Sequence, residues 1–490
     1  MVGMRQDARA ERKNQVLARL LGELGWSQGR LVAEVNAYMG RGYIGRSTVS
    51  EWVTQDRVPR DPLPVVVAHV LSTAVDRNIA VTDLWQDIDR KSSLWMSADH
   101  GMDTSLDYRG VLSLANDWIV NADKSMNSDR RHFMALSGVA LTTPAWSFME
   151  NLKSHGNVLS SAKFGDVKSI KITPLMVNVL ESTIKEIEVL DDSEGGDGNN
   201  LRFVHNVFST MAGYVKSDNF TDDRTRKRLL TAWAQLCRIG GYIAFDAGRH
   251  GYAQRIFRTG LQVSQTVGDR QIGAHILGHL SQQAVYRGNA KDAVQLAEAS
   301  VRTAKGTSLA IRTIANWEYA RAQAAIGDAY ACHEAMETAR NLINSPTALT
   351  TRPSYLYWLN PEMMETNNSH SLLTLAQTSP RNAHRLVAEA ENLLTPHMES
   401  NRDFRRDFSR VVLLRCSWLA RGYLWCGELE QAVKAGKTLL ELVPSVRSKQ
   451  AITVLRRFGT ELTQYRSAQR TPYVGEFSEN LNRALAATAV

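Results

Sequence analysis

Apolar residues recur every three to four positions along most of this chain, and runs that alternate with period two are scarce, so the pattern predicts an all-α protein. In NQVLARLLGELG (14–25) the spacing puts Val16, Leu17, Leu20, Leu21 and Leu24 on one helical face, and Gly25 stops the helix. Ser27 is placed to cap a second helix, QGRLVAEVNAYM. A glycine-rich stretch follows, then RSTVSEWVTQ as a short third helix, which RVPRDPLP ends with three prolines. VVVAHVLSTAV predicts a fourth helix, and VTDLW opens a fifth with Thr82 as cap. Residues 105–150 read as helical, 152–172 as a Ser-, Gly- and Lys-rich loop, and 175–190 as helix. DDSEGGDGNN (191–200) reads as an acidic, glycine-rich break and a mobile loop.

From Leu201 onward the pattern is almost entirely helical, and it repeats. A turn glycine is followed five residues later by a small residue in Gly248/Ala253, Gly288/Ala293, Gly327/Cys332 and Gly427/Ala432. Seven residues before each glycine stands another small residue: Gly241, Ser281, Ala320 and Ala420. Small residues at these points let the two helices of a hairpin approach closely. Hairpins then stack, because one alone cannot bury its apolar face. The 100-residue gap between the third and fourth glycines leaves room for two units, and HSLLTLAQTSPRNAHRLVAEAENLL (370–394) predicts a divergent hairpin there. The alternative is a helical bundle without repeats.

Composition narrows the class without naming a function. The chain has 490 residues, 43% hydrophobic and 22% charged, as in ordinary soluble domains. No stretch approaches the roughly 20 apolar residues of a membrane helix, and the polar start MVGMRQDARAERKNQ is no secretory signal. Cys237, Cys332, Cys416 and Cys426 form no C-x-x-C pair, which fits a reducing cytoplasm better than a disulfide framework. Net charge is +8, and the first 60 residues hold ten basic and six acidic side chains. That basic N-terminus permits nucleic-acid binding.

MGRGYIGRSTVSEW (39–52) contains a literal G-x-G-x-x-G at Gly40, Gly42 and Gly45. A dinucleotide loop needs a buried strand before it and a βαβ unit around it. Here an amphipathic helix precedes it and no strand follows. As a turn between helices every residue fits: Gly40 ends helix two, Val49 and Trp52 face inward, and Arg46, Ser47, Thr48, Ser50 and Glu51 point out. The stretch SQGRLVAEVNAYM…IGRSTVSEWVTQDRVP resembles the Xre/Cro-repressor-like helix-turn-helix domain. The family pattern falls on Ser27, Gln28, Ser47, Thr48, Val49, Ser50, Trp52 and Pro59, while the loop from Gly40 to Thr48 is about three residues longer than the compact turn. The repeats resemble tetratricopeptide hairpins. The whole layout resembles actinomycete regulators of differentiation and antibiotic production, a likeness extended by DRRHFMALSGVALTTPA (129–145). More distantly it resembles Gram-positive peptide-sensing quorum regulators.

The resemblance implies a cytoplasmic, homodimeric regulator of transcription, a repressor or an activator, that binds double-stranded DNA. The expected layout is a DNA-binding domain at 1–90, a helical linker region with mobile loops at 91–200, and a repeat domain forming an α-solenoid at 201–490. Arg46, Ser47, Thr48 and Ser50 are the base-edge and phosphate candidates. Ser27 and Gln28 would reach phosphate at the start of helix two, and Arg41, Arg57 and Arg60 would add salt-dependent affinity. Placing the turn glycine at a common repeat position puts Gln235, Arg238, Tyr242, His275, Gln282, Tyr286, Trp317, Arg321 and Arg421 on the concave face. That mix suits a signalling peptide, a small molecule or a protein partner, unless the residues serve packing between repeats. The rival reading is an interaction scaffold in which the helix-turn-helix serves dimerisation. No enzyme, cofactor or metal signature emerges. QAVKAGKT (431–438) lacks the first glycine of a P-loop, His275 and His279 lack a third ligand and the glutamate of a zinc protease, and the Arg-Arg pair of DRRHFMALSGVA lies too far along the chain for export.

Overall fold

The computed structural model describes residues 14–39, 44–59, 63–75, 79, 84, 85, 108–120, 136, 141, 142, 144, 145, 148, 171–399, 408–465 and 471–487. Among these residues the protein is helical throughout, with a single isolated bridge between Ile172 and Phe220. They fall into two compact units. Among its described residues the first contains α1 (Gln15–Glu23), α2 (Gln28–Met39), α3 (Arg46–Thr54) and α4 (Leu63–Val75).

The first unit is built on the apolar stripes read above. Leu17, Leu20, Leu31, Val35, Val49, Trp52, Val67 and Leu71 meet in one core, and Trp52 and Trp85 pack edge-to-face at 6.4 Å. Asn14, itself buried, caps α1 by accepting from the Leu17 amide at 2.8 Å. Its side-chain amide donates to the Leu84 carbonyl at 2.6 Å, and its backbone amide donates to Val53 at 3.0 Å. One residue therefore ties the start of α1 to the end of α3. Gly25, at φ +62°, lets the chain turn sharply into α2.

The second unit runs from α5 (Tyr108–Val120) through α6 (Pro174–Glu194) and α7 (Gly198–Ser217) into a series of hairpins. These pair α8 (Asp223–Asp246) with α9 (His250–Val267), α10 (Arg270–Tyr286) with α11 (Ala290–Ala304), and α12 (Leu309–Ile326) with α13 (Ala329–Ile343). Then come α14 (Pro361–Thr378) with α15 (Ala383–Glu399), α16 (Ser409–Trp425) with α17 (Leu429–Leu440), and finally α18 (Lys449–Gln464) and α19 (Pro472–Ala487). The divergent hairpin expected around 370–394 is α14–α15. The first helices stack in order, α8 on α10, α10 on α12, α12 on α14, α14 on α16 and α16 on α18.

The repeat signal has a steric origin. Gly248, Gly288, Gly327 and Gly427 all turn with φ between +73° and +82°. The small residues seven positions earlier are fully enclosed between helices: a Cβ on Gly241 would lie 2.4 Å from the Phe257 ring, and the Ser281 hydroxyl donates to the Ala293 carbonyl at 2.8 Å. QAVKAGKT lies wholly within α17, where Gly436 packs against Phe477 and Phe458.

Two segments differ from expectation. α5 and α6 fall inside the region read as a linker, yet both pack within the second unit: α5 against α7 and α9, with the Trp118 indole donating to Thr259 at 3.0 Å, and α6 against α8. The acidic break at 191–200 is ordered packing. Asp191 to Glu194 finish α6, Asp197 caps α7, and Gly196 lies so close to α8 that a Cβ would come within 2.4 Å of the Ile243 carbonyl. Its glycines permit a close approach rather than slack.

Gly241→Leu should force the buried Phe257 ring out of place, costing at least about 1–3 kcal/mol. Gly213→Ala, with open space around its Cβ in mid-helix, should be neutral or slightly stabilising. Thermal unfolding followed by circular dichroism separates the two. An unchanged melt for Gly241→Leu would contradict the packing described.

Candidate functional site

In the first unit the candidate surface is the outward side of α3. Val49 and Trp52 are buried on one side, Arg46 and Ser47 are exposed on the other, and Thr48 and Ser50 are half-buried beside them. Gly45 leads into the helix in extended conformation, and as a glycine it has no side chain with which to cap the first-turn amides. Asn36 on α2 both accepts from the Ile44 amide at 2.9 Å and donates to its carbonyl at 3.0 Å. This two-way clamp fixes the entry to α3, and sequence reading missed it because an Asn in a helix carries no such mark. Ser27 is exposed and accepts from the Arg30 amide at 3.2 Å as the start of α2, with Gln28 half-buried next to it. Arg57 is exposed but folded back on Glu51 at 2.6 Å. Arg41 and Arg60 lie outside the described residues, as do Gly40, Gly42 and Thr82. Among the described residues the glycine run is preceded by α2 and followed by α3, with no strand beside it of the kind a dinucleotide loop needs.

In the second unit the stack closes on itself. Arg410, near the start of α16, reaches Asp191 at 3.2 Å and Asp192 at 3.9 Å on α6, and donates to the Tyr242 hydroxyl on α8 at 3.0 Å. Ser448, capping α18, donates to Asp246 at the end of α8 at 2.5 Å. The Arg447 amide donates to the Glu194 carbonyl at 3.0 Å, and its guanidinium pairs with Asp197 at 3.3 Å. Residues some 200 positions apart thus seal the first helices of the stack against the last.

Closure surrounds a central cavity of about 100 Å³ that is partly open to solvent. The first helices of the hairpins line it, together with α6 and the segment between α13 and α14. That segment sends Tyr355 over His275 (6.0 Å between rings) and beneath the Arg238 guanidinium (4.6 Å). Trp358 meets Trp317 edge-on at 5.9 Å, and the Tyr357 hydroxyl bonds Asp192 across the cavity. Of the residues placed on the concave face from sequence, Arg238, Tyr242, His275, Gln282 and Trp317 line this cavity. The other four lie away from its lining. Arg321 is buried against Glu318 at 3.1 Å, and Arg421 is bonded to Glu461 and sandwiched by Trp418 and Trp425. Tyr286 packs on Phe245 and His250 under Arg457, and Gln235 is half-buried on α8.

The wall is dense in ionisable groups. Glu188 pairs with Arg238, and burial pushes its carboxyl up against the pull of that guanidinium. Burial raises Asp191 to about 7, with Arg410 pulling it down and Asp246 and Asp192 pushing it further up. The His275 and His279 rings sit 4.4 Å apart and both are held neutral by burial, His279 down to about 3. Among the described residues no three His, Cys, Asp or Glu side chains group as a metal site would require. Several buried polar atoms of the lining have no hydrogen-bond partner: Asp191 Oδ1, His275 Nδ1, the Tyr355 hydroxyl, and the Nε of Arg238, Arg410 and Arg415. Such atoms are costly to leave bare, so the wall carries polar groups with bonding capacity to spare.

Asp191 yields a pH test with a definite sign. Between its ordinary value of 3.8 and about 7 the folded chain holds this proton more tightly than the unfolded chain. Its contribution to stability is therefore full below 3.8 and is lost as pH rises through about 7. The groups facing it are Arg410, Asp246, Asp192 and Arg238. Asp191→Asn should gain stability relative to wild type across that window, by up to roughly 1.4 kcal/mol per pH unit. Denaturant unfolding at pH 4, 5.5 and 7 measures it. A difference that stays constant with pH would mean that Asp191 is charged throughout.

Residues 17–84 match the model of the family described as SP15 N-terminal domain, a stretch that takes in most of α1 and all of α2, α3 and α4. No curated protein and no solved structure matches the chain.

Proposed function

We propose that this chain is a DNA-binding transcriptional regulator whose second unit takes an effector in its central cavity and so alters DNA binding by the first. One observation carries the reading: α3 is anchored by Val49 and Trp52 and presents Arg46 and Ser47 bare at its N-terminal turn, with Thr48 and Ser50 alongside. A short, rigidly held helix with arginine and hydroxyls at its start is suited to a major groove. Arg46 would bond guanine through two donors, the hydroxyls would bond bases or phosphate, and the start of α2 at Ser27 and Gln28 would face phosphate. On this reading α2 and α3 form a helix-turn-helix of the Xre/Cro-like kind, acting as a homodimer in the cytoplasm. The hairpins are then a tetratricopeptide-like sensor.

The enclosed cavity, with its unpartnered polar atoms, supports the effector half. Its small size, with Tyr355, Tyr357 and Trp358 in its wall, favours a compact small molecule over an extended peptide or a protein. An effector acts only by favouring one arrangement of the chain over another, and typical couplings of about 1–3 kcal/mol change affinity roughly 5–150-fold. The scaffold reading draws on one observation, the pairing of Glu51 with Arg57, which places an acid beside the outward side of α3 and engages one of its flanking arginines.

Arg46→Ala should weaken binding to a preferred duplex by about 1–3 kcal/mol and relax one base position. It should leave thermal unfolding unchanged, because Arg46 is exposed. Fluorescence anisotropy of labelled duplex over a salt series, with the full chain, reads both affinity and salt slope. Equal affinities for wild type and variant would remove Arg46 from the interface. A wild type with no salt-dependent duplex binding would favour the scaffold.

A further inference from the structure

We propose that the central cavity binds a small organic anion, a carboxylate or phosphate ester on a flat apolar body, with Arg415 as the residue that holds the anionic group. The inference rests on the reading of the cavity as an effector site and gives that effector a chemical class.

Four buried arginines stand in or behind the wall, and three are neutralised by the protein. Arg238 has Glu188, Arg410 has Asp191 and Asp192, and Arg321 has Glu318. Arg415 differs. It lines the cavity at 5% exposure, yet its contacts are neutral: the Asn367 side-chain oxygen at 2.6 Å and the ring of His370. Its Nε donor is unpartnered. Among the described residues no carboxylate lies within ion-pair distance of it. Glu318, the carboxylate in its surroundings, is already held by Arg321, which also repels Arg415. Burial pulls the Arg415 guanidinium down to about 9, and burial also keeps His370 neutral, so the ring adds no second positive charge and offers no negative one. A buried cation in a cavity wall, with neutral partners and one donor unpartnered, is suited to receive an anion.

The rest of the wall sets the body of the ligand. Trp317, Trp358, Tyr355, Phe408 and Tyr242 supply flat apolar faces. The Tyr355 hydroxyl and His275 Nδ1 remain for one further polar contact.

The test uses the full chain without DNA, so its outcome is independent of whether the first unit binds a duplex. Phenylacetate, phenyl phosphate and the uncharged phenylacetamide are titrated by calorimetry and by tryptophan fluorescence. At least one anion should bind at least tenfold more tightly than the amide, and which one identifies the group as carboxylate or phosphate. Arg415→Gln should erase that preference without lowering the melting temperature, since it removes an uncompensated buried charge. Arg415→Lys should keep part of the preference, and the wild-type comparison stands even if Arg415→Gln does not fold. Equal affinity for anion and amide, no binding of either anion at millimolar concentration, or unchanged anion affinity in folded Arg415→Gln would each overturn the proposal.

Discussion

The second unit depends on the reach of one guanidinium. Arg410 joins α16 to α6 and α8, through Asp191, Asp192 and Tyr242, and turns an open stack of hairpins into a closed one. It lies fully within the protein, where leaving a charge without its partner typically costs about 3–5 kcal/mol. Its carboxylates are arranged so that this does not happen, at the expense of an Asp191 whose proton is held well above its ordinary range. The glycines at 195 and 196 belong to the same constraint. Arg410, Asp246 and Ser448 crowd Gly195, and the end of α8 crowds Gly196, so no larger side chain fits at either position.

Closure changes what the hairpins can hold. An open groove suits an extended segment that lies along it, whereas a closed stack around a partly open cavity with aromatic walls suits a compact molecule. The segment between α13 and α14 strengthens this, because Tyr355, Tyr357 and Trp358 cross the space that a longer ligand would occupy. The proposed effector role accordingly concerns a small ligand, and coupling to the first unit is a matter of which arrangement that ligand favours.

The sequence made the local structure legible where a residue's type was forced by geometry. Turn glycines at positive φ and small residues at helix contacts repeat because each hairpin meets the same steric demand, so the register of the stack could be read directly. Contacts that depend on where distant elements meet were not readable. Nothing local in DDSEGGDG says that its aspartates face an arginine more than 200 residues away. Likewise Arg421 and Tyr286 share the register of cavity residues, but Glu461 and Arg457 on α18 draw them into packing between helices. Arg415 was overlooked because a helical arginine looks the same whether or not a carboxylate waits for it. In the first unit, the phase of α3 followed from Val49 and Trp52, while the Asn36 clamp on Ile44 did not follow from any periodicity.

The account joins a proposed DNA-reading surface to a ligand-sized cavity, and the first half is the one on which a regulatory role stands or falls. The most direct measurement is selection from a random pool of duplex DNA by the full-length chain at physiological salt, followed by sequencing of the bound fraction. The account predicts enrichment of a short motif repeated with two-fold symmetry, its half-sites one helical turn or a multiple apart, as a homodimer with one recognition helix per protomer requires. A bound fraction indistinguishable from the input pool would contradict it.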